Sequence, residues 1–310
     1  MTATDTDHRR SKRAAFTPAI AGSMLPLPRR SPGTLDHETI RADLGSLAHA
    51  GFRHVDLVDT WLSPADLSRS ERGILLDVLA ELQLGLVGIS VIRRSVIDPV
   101  DGPANVAHTR KSIDAAAELG APVLSIGFHR PLTELQRQWA FWTVPGPRDD
   151  PAAYDAAVPL VADLAAYAAD RGVRLSLELY EDTLLGTGAG AARLVEDVGA
   201  PNLGVNADLA NLYRLPARLA ETWLETFRRV LPHMNYWHVK NYRRVEVYPD
   251  GPYLAWPTDL DSGDIDYRLA LGMAADAGYT GPICVEHYGG DALWSQRRGL
   301  RYLTSLLETQ

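Results

Sequence analysis

The feature that most constrains the fold is an alternation of short apolar segments with longer amphipathic segments, repeated eight times along the chain. The short segments are rich in β-branched and apolar residues, as buried strands are. The longer segments have helical periodicity and usually close on glycine, which often ends helices. Strands that alternate with helices pair in parallel through helical crossovers. The predicted strands span residues 18–24, 54–59, 86–92, 122–128, 173–180, 203–208, 235–241 and 282–288.

Eight such units in 310 residues predict an α/β fold, a (β/α)₈ TIM barrel in a single domain, with a doubly wound sheet as the alternative. Residues 17–310 would form this barrel, and the Arg-rich residues 1–16 would form a flexible N-terminal tail. Residues 130–150 and 243–263 are longer than connections in a compact domain need to be. They follow the fourth and seventh strands, so we expect two long loops on the C-terminal face, where barrel enzymes carry their active sites.

Composition narrows the class of partner. A formal net charge of −8 supplies no basic field for nucleic acid. The single cysteine, Cys284, excludes an internal disulfide framework and a thiolate metal cluster. No apolar run approaches the roughly 18–20 residues of a membrane span, and the N-terminus lacks the apolar segment of a signal peptide. The sequence predicts a cytoplasmic enzyme that acts on small molecules, without a nucleic acid or membrane partner.

Polar residues recur on the inner face of the predicted strands. Alternate side chains of a barrel strand point to the helices and to the interior. In "NYWHVKNY", Trp237 and Val239 mark the outer side, so His238 and Lys240 point inward. Asp56 on the second strand also points inward, without an assigned role. The same alternation on strands five, six and eight places three carboxylates inward: Glu178, Asp208 and Glu286.

These three carboxylates and the His238 imidazole converge near the C-terminal ends of four strands. Any one of them alone is compatible with a structural ion pair, but three carboxylates together repel one another unless a cation or protons neutralise them. One imidazole with carboxylate oxygens suits Mn²⁺, Mg²⁺, Co²⁺ or Zn²⁺ and differs from a structural zinc site. We predict one divalent metal ion, with Mn²⁺ preferred, held by Glu178, Asp208, His238 and Glu286.

Over nearly the whole barrel the sequence resembles the xylose-isomerase-like superfamily of sugar isomerases and epimerases. The segments that match are "LELY", "NADLANL", "YWHVKN" and "VEHYGG". The resemblance implies one metal bound by the four residues above, with Glu178 and Glu286 as catalytic acid and base on either side of the carbon next to a carbonyl. The epimerase branch has an arginine six residues after the metal histidine, which falls on Arg244. Its substrate-binding histidine is replaced by Asn211, which can donate a hydrogen bond but cannot carry a proton.

A narrower resemblance is to the larger, metal-bearing subunit of the C-glycoside deglycosidases. It is carried by "FHRPLT", "LYEDTLLGT", "ADLANL", "YWHVKNY" and "EHYGGD". It implies a lyase for 3-oxo-C-glycosides: the metal would bind the 3-keto oxygen, Glu178 or Glu286 would remove the C2 proton, and the aglycone would leave from C1. His129, inward at the end of strand four, would be the acid, unless it only anchors the loop. A smaller partner subunit is implied as well.

The alternative is a ketose isomerase or epimerase, in which the second glutamate returns the proton to the opposite face. In both cases the partner is a keto sugar or its glycoside. Lys240 would bind a substrate hydroxyl at the rim of the site or help to hold the metal carboxylates, unless it pairs with a surface acid. Trp142, in the first long loop, would contact the substrate or only fix the loop to the barrel. A nuclease of the same superfamily would need further histidines and a basic face, and neither is visible.

Overall fold

Eight parallel strands close into a ring, in which β10 fills the gap between β1 and β7. This closed ring confirms the predicted (β/α)₈ barrel. The computed structural model describes residue 13 and residues 15–309 of the chain. The strands are β1 (Ile20–Ser23), β2 (His54–Val58), β3 (Gly85–Val91), β4 (Val123–Ile126), β5 (Arg174–Glu178), β6 (Leu203–Asn206), β7 (Met234–Val239), β8 (Asn241–Glu246), β9 (Tyr253–Thr258) and β10 (Ile283–Val285).

Helices connect the strands around the outside of the ring. Helix α1 illustrates the local signals: the Asp36 side chain accepts a hydrogen bond from the Thr39 N–H at 2.8 Å, and Gly51 ends the helix at a φ of 104°. The helices are α1 (His37–Ala50), α2 (Arg69–Glu81), α3 (Gly102–Leu119), α4 (Glu134–Gln138), α5 (Tyr154–Ala169), α6 (Gly188–Val198), α7 (Leu209–Tyr213), α8 (Trp223–Val230), α9 (Tyr267–Ala277) and α10 (Ala292–Glu308).

Side chains inside the ring change from apolar to polar along the barrel axis. The lower layer is closed by a small buried cluster that is largely apolar, and its members are Ala21, Val87, Val123, Tyr236 and Cys284. Two residues further along β7, at the level above, the buried His238 points inward. The outward side chains, such as Leu177 and Trp237, join the main core beneath the helices. The closed lower layer therefore leaves the upper end of the barrel as the place for polar chemistry.

The two long connections fold over this upper end and contact each other. Residues 130–150 contain α4 and a 3₁₀ turn at Phe141–Thr143. Residues 243–263, for which the sequence predicts a loop, contain most of an antiparallel hairpin of β8 and β9. The Trp142 indole N–H donates to the carbonyl of Ala255 at 2.8 Å and so joins the first connection to the hairpin.

The predicted tail lies mostly outside the described residues, so its flexibility stays a prediction. Of its described positions, Arg13 pairs with Asp276 at 2.8 Å and Phe16 is buried in the core. No helix among residues 15–309 is both long enough and apolar enough to cross a membrane.

Candidate active site

A pocket of about 360 Å³ opens where the barrel strands end. One part of its wall is polar, from residues that follow or end β4, β5, β7 and β10, and another part is apolar. This division suits a ligand with a polar and a less polar half. The pocket is lined by Leu25, Thr60, Ile92, Arg93, His129, Leu132, Phe141, Glu178, Tyr180, Asn211, Arg214, Lys240, Glu286 and Tyr288.

Three of the four predicted metal ligands lie together beneath this pocket. One ligand atom each from Glu178, Asp208 and His238 lies within 4.8 Å of the others, and all three residues are at most 4% exposed. Glu178 Oε2 and His238 Nδ1 are buried without a hydrogen-bond partner. Buried polar atoms without a partner are costly, and a divalent cation would satisfy both atoms. The donor set of two carboxylates and one imidazole therefore fits a metal such as Mg²⁺ or Mn²⁺.

Lys240 lies between two of the carboxylates. Its Nζ donates to Asp208 Oδ2 at 2.5 Å and also to Glu286 Oε2. Burial alone would lower the pKa of Lys240, but these two carboxylates raise it well above its usual value. Burial raises the pKa of Asp208 to about 7 despite the ammonium beside it. Glu286 thus faces the pocket as a partner of Lys240, and its role as a metal ligand stays a prediction.

The other face of the His238 ring is held by polar groups deeper in the barrel. Its Nε2 lies 3.4 Å from Ser90 Oγ and 3.9 Å from Asp56 Oδ2, which leaves Nδ1 facing Glu178 at 3.8 Å. Asp56 Oδ1 accepts from the Tyr236 hydroxyl at 2.7 Å. Such contacts behind a ligand fix the orientation of an imidazole. They also give the inward-pointing Asp56 a structural role that the sequence left open.

Asp56, His238 and Cys284 form a second close group of potential ligand atoms. Asp56 and Cys284 do not line the pocket, and Asp56 already accepts hydrogen bonds from Tyr236 and Ser90. A metal there would have no contact with a substrate. Of the two groups, only the one that contains Glu178 reaches the pocket.

His129 is held beside Glu178 in a defined orientation. Its Nδ1 accepts from the backbone N–H of Arg93 at 3.3 Å, so in the neutral imidazole the proton is on Nε2. This Nε2 lies 3.3 Å from Glu178 Oε2. Burial alone would raise the pKa of Glu178, but His129, His238 and Lys240 outweigh it and hold that pKa below its usual value. Glu178 is therefore ionised and able to accept a proton.

Asn211 contacts Glu178 from the short helix α7. Its Nδ2 donates to Glu178 Oε1 at 2.9 Å and to the Leu179 carbonyl at 3.0 Å. Its Oδ1 is buried without a partner. The sequence predicts that Asn211 donates a hydrogen bond to the substrate, but both of its amide hydrogens are used inside the protein. The group that it can offer a substrate hydroxyl is an acceptor.

Arg244 and Trp142 lie beside the pocket, outside its lining. The Arg244 guanidinium stacks 3.7 Å from the Tyr253 ring centroid and donates to the Leu215 and Ala217 carbonyls. The Trp142 ring packs 5.5 Å from that of Tyr288, which does line the pocket. Substrate binding by Arg244 and Trp142 stays a prediction.

Two arginines line the pocket that the sequence reading did not single out. Arg214 forms a buried two-bond ion pair with Glu181, at 2.7 and 2.9 Å, and donates to the Tyr288 hydroxyl at 2.6 Å. Its position three residues after Asn211, on the same helical face, was a usable signal. Arg93 follows β3 outside any alternation, and no pattern pointed to it.

The buried Asp59, at the end of β2, predicts a measurable pH dependence of stability. Burial raises its pKa from 3.8 to about 6. Between these values the unfolded chain is ionised while the folded chain is protonated, so the free energy of unfolding falls as pH rises from about 4 to about 6. From about pH 4 to about pH 6, we expect the free energy of unfolding of Asp59→Asn to rise by about 2 kcal/mol relative to that of the parent. Urea unfolding of both proteins at each pH measures this difference. Parallel pH profiles of the two proteins would contradict this.

A family model and a curated relative match most of this chain. A family model described as xylose isomerase-like TIM barrel matches residues 44–306. A ketose 3-epimerase of Arthrobacter globiformis is 25% identical over 269 residues, which cover 84% of this chain and 82% of that protein.

Two solved structures are similar in fold. A xylose isomerase-like TIM barrel protein from Mycobacterium smegmatis, in complex with magnesium, is 36% identical with a TM-score of 0.88, covering 96% of this chain and 98% of that one. A D-allulose 3-epimerase from Methylomonas sp. is 18% identical with a TM-score of 0.68, covering 94% and 99%. The second shows the shared fold alone.

Proposed function

The chain belongs to the xylose isomerase-like TIM barrel family, and on that basis we propose that it is a divalent-metal-dependent epimerase or isomerase of a keto sugar. The observation that carries the proposal is the placement of Glu178 and Glu286. Both line the pocket, and β6 and β7 separate their strands in the ring. Two carboxyl groups facing one substrate from different sides are what inversion at a carbon requires.

Glu178, Asp208 and His238 would hold the ion, with Mg²⁺ or Mn²⁺ as candidates. When bound, it would polarise the sugar carbonyl and so acidify the neighbouring C–H. Asp56 and Ser90 keep the His238 ring turned toward this position.

The protein's own groups would move the proton. Glu178, which is ionised and faces the pocket, would accept the proton from the carbon next to the carbonyl. Glu286 would return a proton from the other side, which it takes from the Lys240 ammonium that donates a hydrogen bond to its carboxylate. Exchange with solvent would then restore the starting protonation states of Glu178 and Lys240. The free Oδ1 of Asn211 accepts a hydrogen bond from a sugar hydroxyl and orients the ring. The apolar wall limits the access of water to the reacting carbon.

Deuterium exchange tests this assignment. The Mg²⁺-loaded protein in D₂O is incubated with D-fructose, D-allulose and L-ribulose, and NMR follows both inversion and deuterium at the carbon next to the carbonyl. We expect a deuterated epimer from at least one sugar. In Glu286→Gln, deuterium should still enter the starting sugar through Glu178, while inversion falls about 100-fold or more. Absence of deuterium from every sugar would contradict the epimerase assignment.

Cleavage of 3-oxo-C-glycosides is the second candidate, and the apolar wall of the pocket favours it. Leu25, Ile92, Leu132 and Phe141 would face an aglycone that a free ketose lacks. Glu178 would remove the C2 proton, and His129 Nε2–H would be the acid for the leaving group. Incubation of a 3-oxo-C-glucoside with the Mn²⁺-loaded chain, with and without a smaller partner subunit, should release free aglycone. Epimerised free sugar without aglycone release would exclude this candidate.

A further inference from the structure

Of the two arginines that line the pocket, Arg214 has a carboxylate partner and Arg93 has none among the described residues. Among residues 15–309, no Asp or Glu oxygen comes within 4.0 Å of its guanidinium nitrogens. Its neighbours in the chain and across the pocket are all paired: Arg94 with Asp59 at 3.5 Å, Arg130 with Asp149 at 3.0 Å, and Arg214 with Glu181 at 2.7 Å. Arg93 is thus a pocket-lining cation that no described anion balances.

The guanidinium of Arg93 is nevertheless held in place. One terminal nitrogen donates to the Arg130 carbonyl and the other to the Tyr180 hydroxyl, each at 3.2 Å. Its carbon lies 5.1 Å from the centroid of the Phe141 ring. Arginine carries five N–H donors, and the described residues accept from two of its guanidinium nitrogens. The Arg93 guanidinium is therefore fixed in orientation and still has N–H groups that can donate to a ligand.

The backbone of Arg93 is strained in a way that serves the site. Its φ is 57°, in the left-handed region, which costs a residue with a side chain roughly 1–2 kcal/mol. This conformation directs its N–H to His129 Nδ1 while the side chain lines the pocket. Strain of this kind concentrates at functional sites. The position of Arg93 is thus constrained both by the contact with His129 and by the pocket.

The charged Asp, Glu, Lys and Arg side chains that line the pocket are Glu178, Glu286, Arg93, Arg214 and Lys240. Arg214 is paired with Glu181, and Lys240 with Asp208 and Glu286. Among the described residues, Arg93 is therefore the lining cation that no carboxylate contacts. It lies at a partly dehydrated position, where a ligand anion is bound more strongly than in water.

We propose that Arg93 binds a carboxylate carried by the keto-sugar substrate, an inference that rests on the proposed function. A guanidinium matches the two oxygens of a carboxylate with parallel hydrogen bonds. A phosphate carries about 1.5 to 2 negative charges and is less well matched by one unpaired arginine. The substrate class is therefore a keto sugar acid, or a keto sugar whose substituent bears an acid group.

Binding to the Mg²⁺-loaded protein tests this directly, with calorimetric titration of 5-keto-D-gluconate, D-fructose and D-fructose 6-phosphate. We expect the keto acid to bind about tenfold or more tightly than D-fructose, with a preference that shrinks as NaCl increases. Arg93→Met should reduce the ratio of the two dissociation constants to about one. Arg94→Met is the matched control, since that arginine pairs with Asp59 away from the pocket lining, and it should keep the ratio.

Arg93→Lys, which keeps the charge, should retain part of the preference, and it serves if Arg93→Met does not fold. The proposal is overturned if the parent shows no preference for the keto acid, or if Arg94→Met loses it equally. Tighter binding of D-fructose 6-phosphate than of the keto acid would also overturn it. Since these are binding measurements, they are separate from the exchange experiment, whose failure would instead remove the epimerase assignment.

Discussion

Replacing Glu178 with glutamine is expected to lower metal affinity about 100-fold and proton exchange about 1000-fold. The substitution keeps the size of the side chain but removes the charge that faces His238 Nδ1 at 3.8 Å and the oxygen that would accept the substrate proton. The measurements are Mg²⁺ and Mn²⁺ titration calorimetry and deuterium incorporation in D₂O. His238→Ala should show the same loss of metal, because it removes the imidazole ligand of the same site.

Glu134→Gln is the control for this pair, because Glu134 is an exposed carboxylate in the first turn of α4. It should leave metal binding and exchange unchanged. Circular dichroism and the melting temperature establish that each variant is folded. If the folded Glu178→Gln and His238→Ala proteins bound as much metal as the parent, the metal centre would be wrongly assigned.

The second large effect concerns the buried ion pair beneath the pocket. Glu181→Gln should reduce the free energy of unfolding by about 3–5 kcal/mol, because it leaves the Arg214 guanidinium, 2% exposed, without its anion. Arg214 also supports Tyr288 through a hydrogen bond of 2.6 Å, so the pocket wall should loosen as well. Urea unfolding of the parent and variant measures the change.

The double variant Glu181→Gln with Arg214→Met provides the internal check. Removing both charges takes away the uncompensated cation, so we expect most of the lost stability to return. If the single variant unfolded within about 1 kcal/mol of the parent, solvent would have to screen this pair, contrary to its burial.

The barrel and the inward residues were predictable because a strand has a fixed side-chain period of two. Outward Trp237 and Val239 fix the orientation of β7, and the observed strand begins and ends within two residues of its predicted bounds. The same argument placed Glu178, Lys240 and Glu286 in one pocket, where the structure has them. Period alone carries this information without knowledge of any tertiary contact.

The pairing of those residues was beyond such reasoning. The side-chain period of two predicts that Lys240 points inward, but it does not predict whether its ammonium group binds a substrate or two carboxylates. That outcome depends on the distances between side chains that follow or end β6, β7 and β10. Arg93 lies just after a strand at a positive φ, a backbone conformation that an arginine in the sequence does not indicate. The β8–β9 hairpin was not predicted, because charged residues and a proline interrupt the alternation of apolar and polar residues in its strands.

The contact of Lys240 with Asp208 and Glu286 bears on whether the protein needs a metal ion in order to fold. If the site contained these carboxylates without a cation from the protein, the carboxylates would repel one another during folding. A bound ion would then be needed to bring them together. In this protein the Lys240 ammonium group takes up its position between the two carboxylates as the chain folds. Folding would therefore not need a metal ion, and binding of an ion at the proposed site would follow folding and depend on the ions that the surroundings supply.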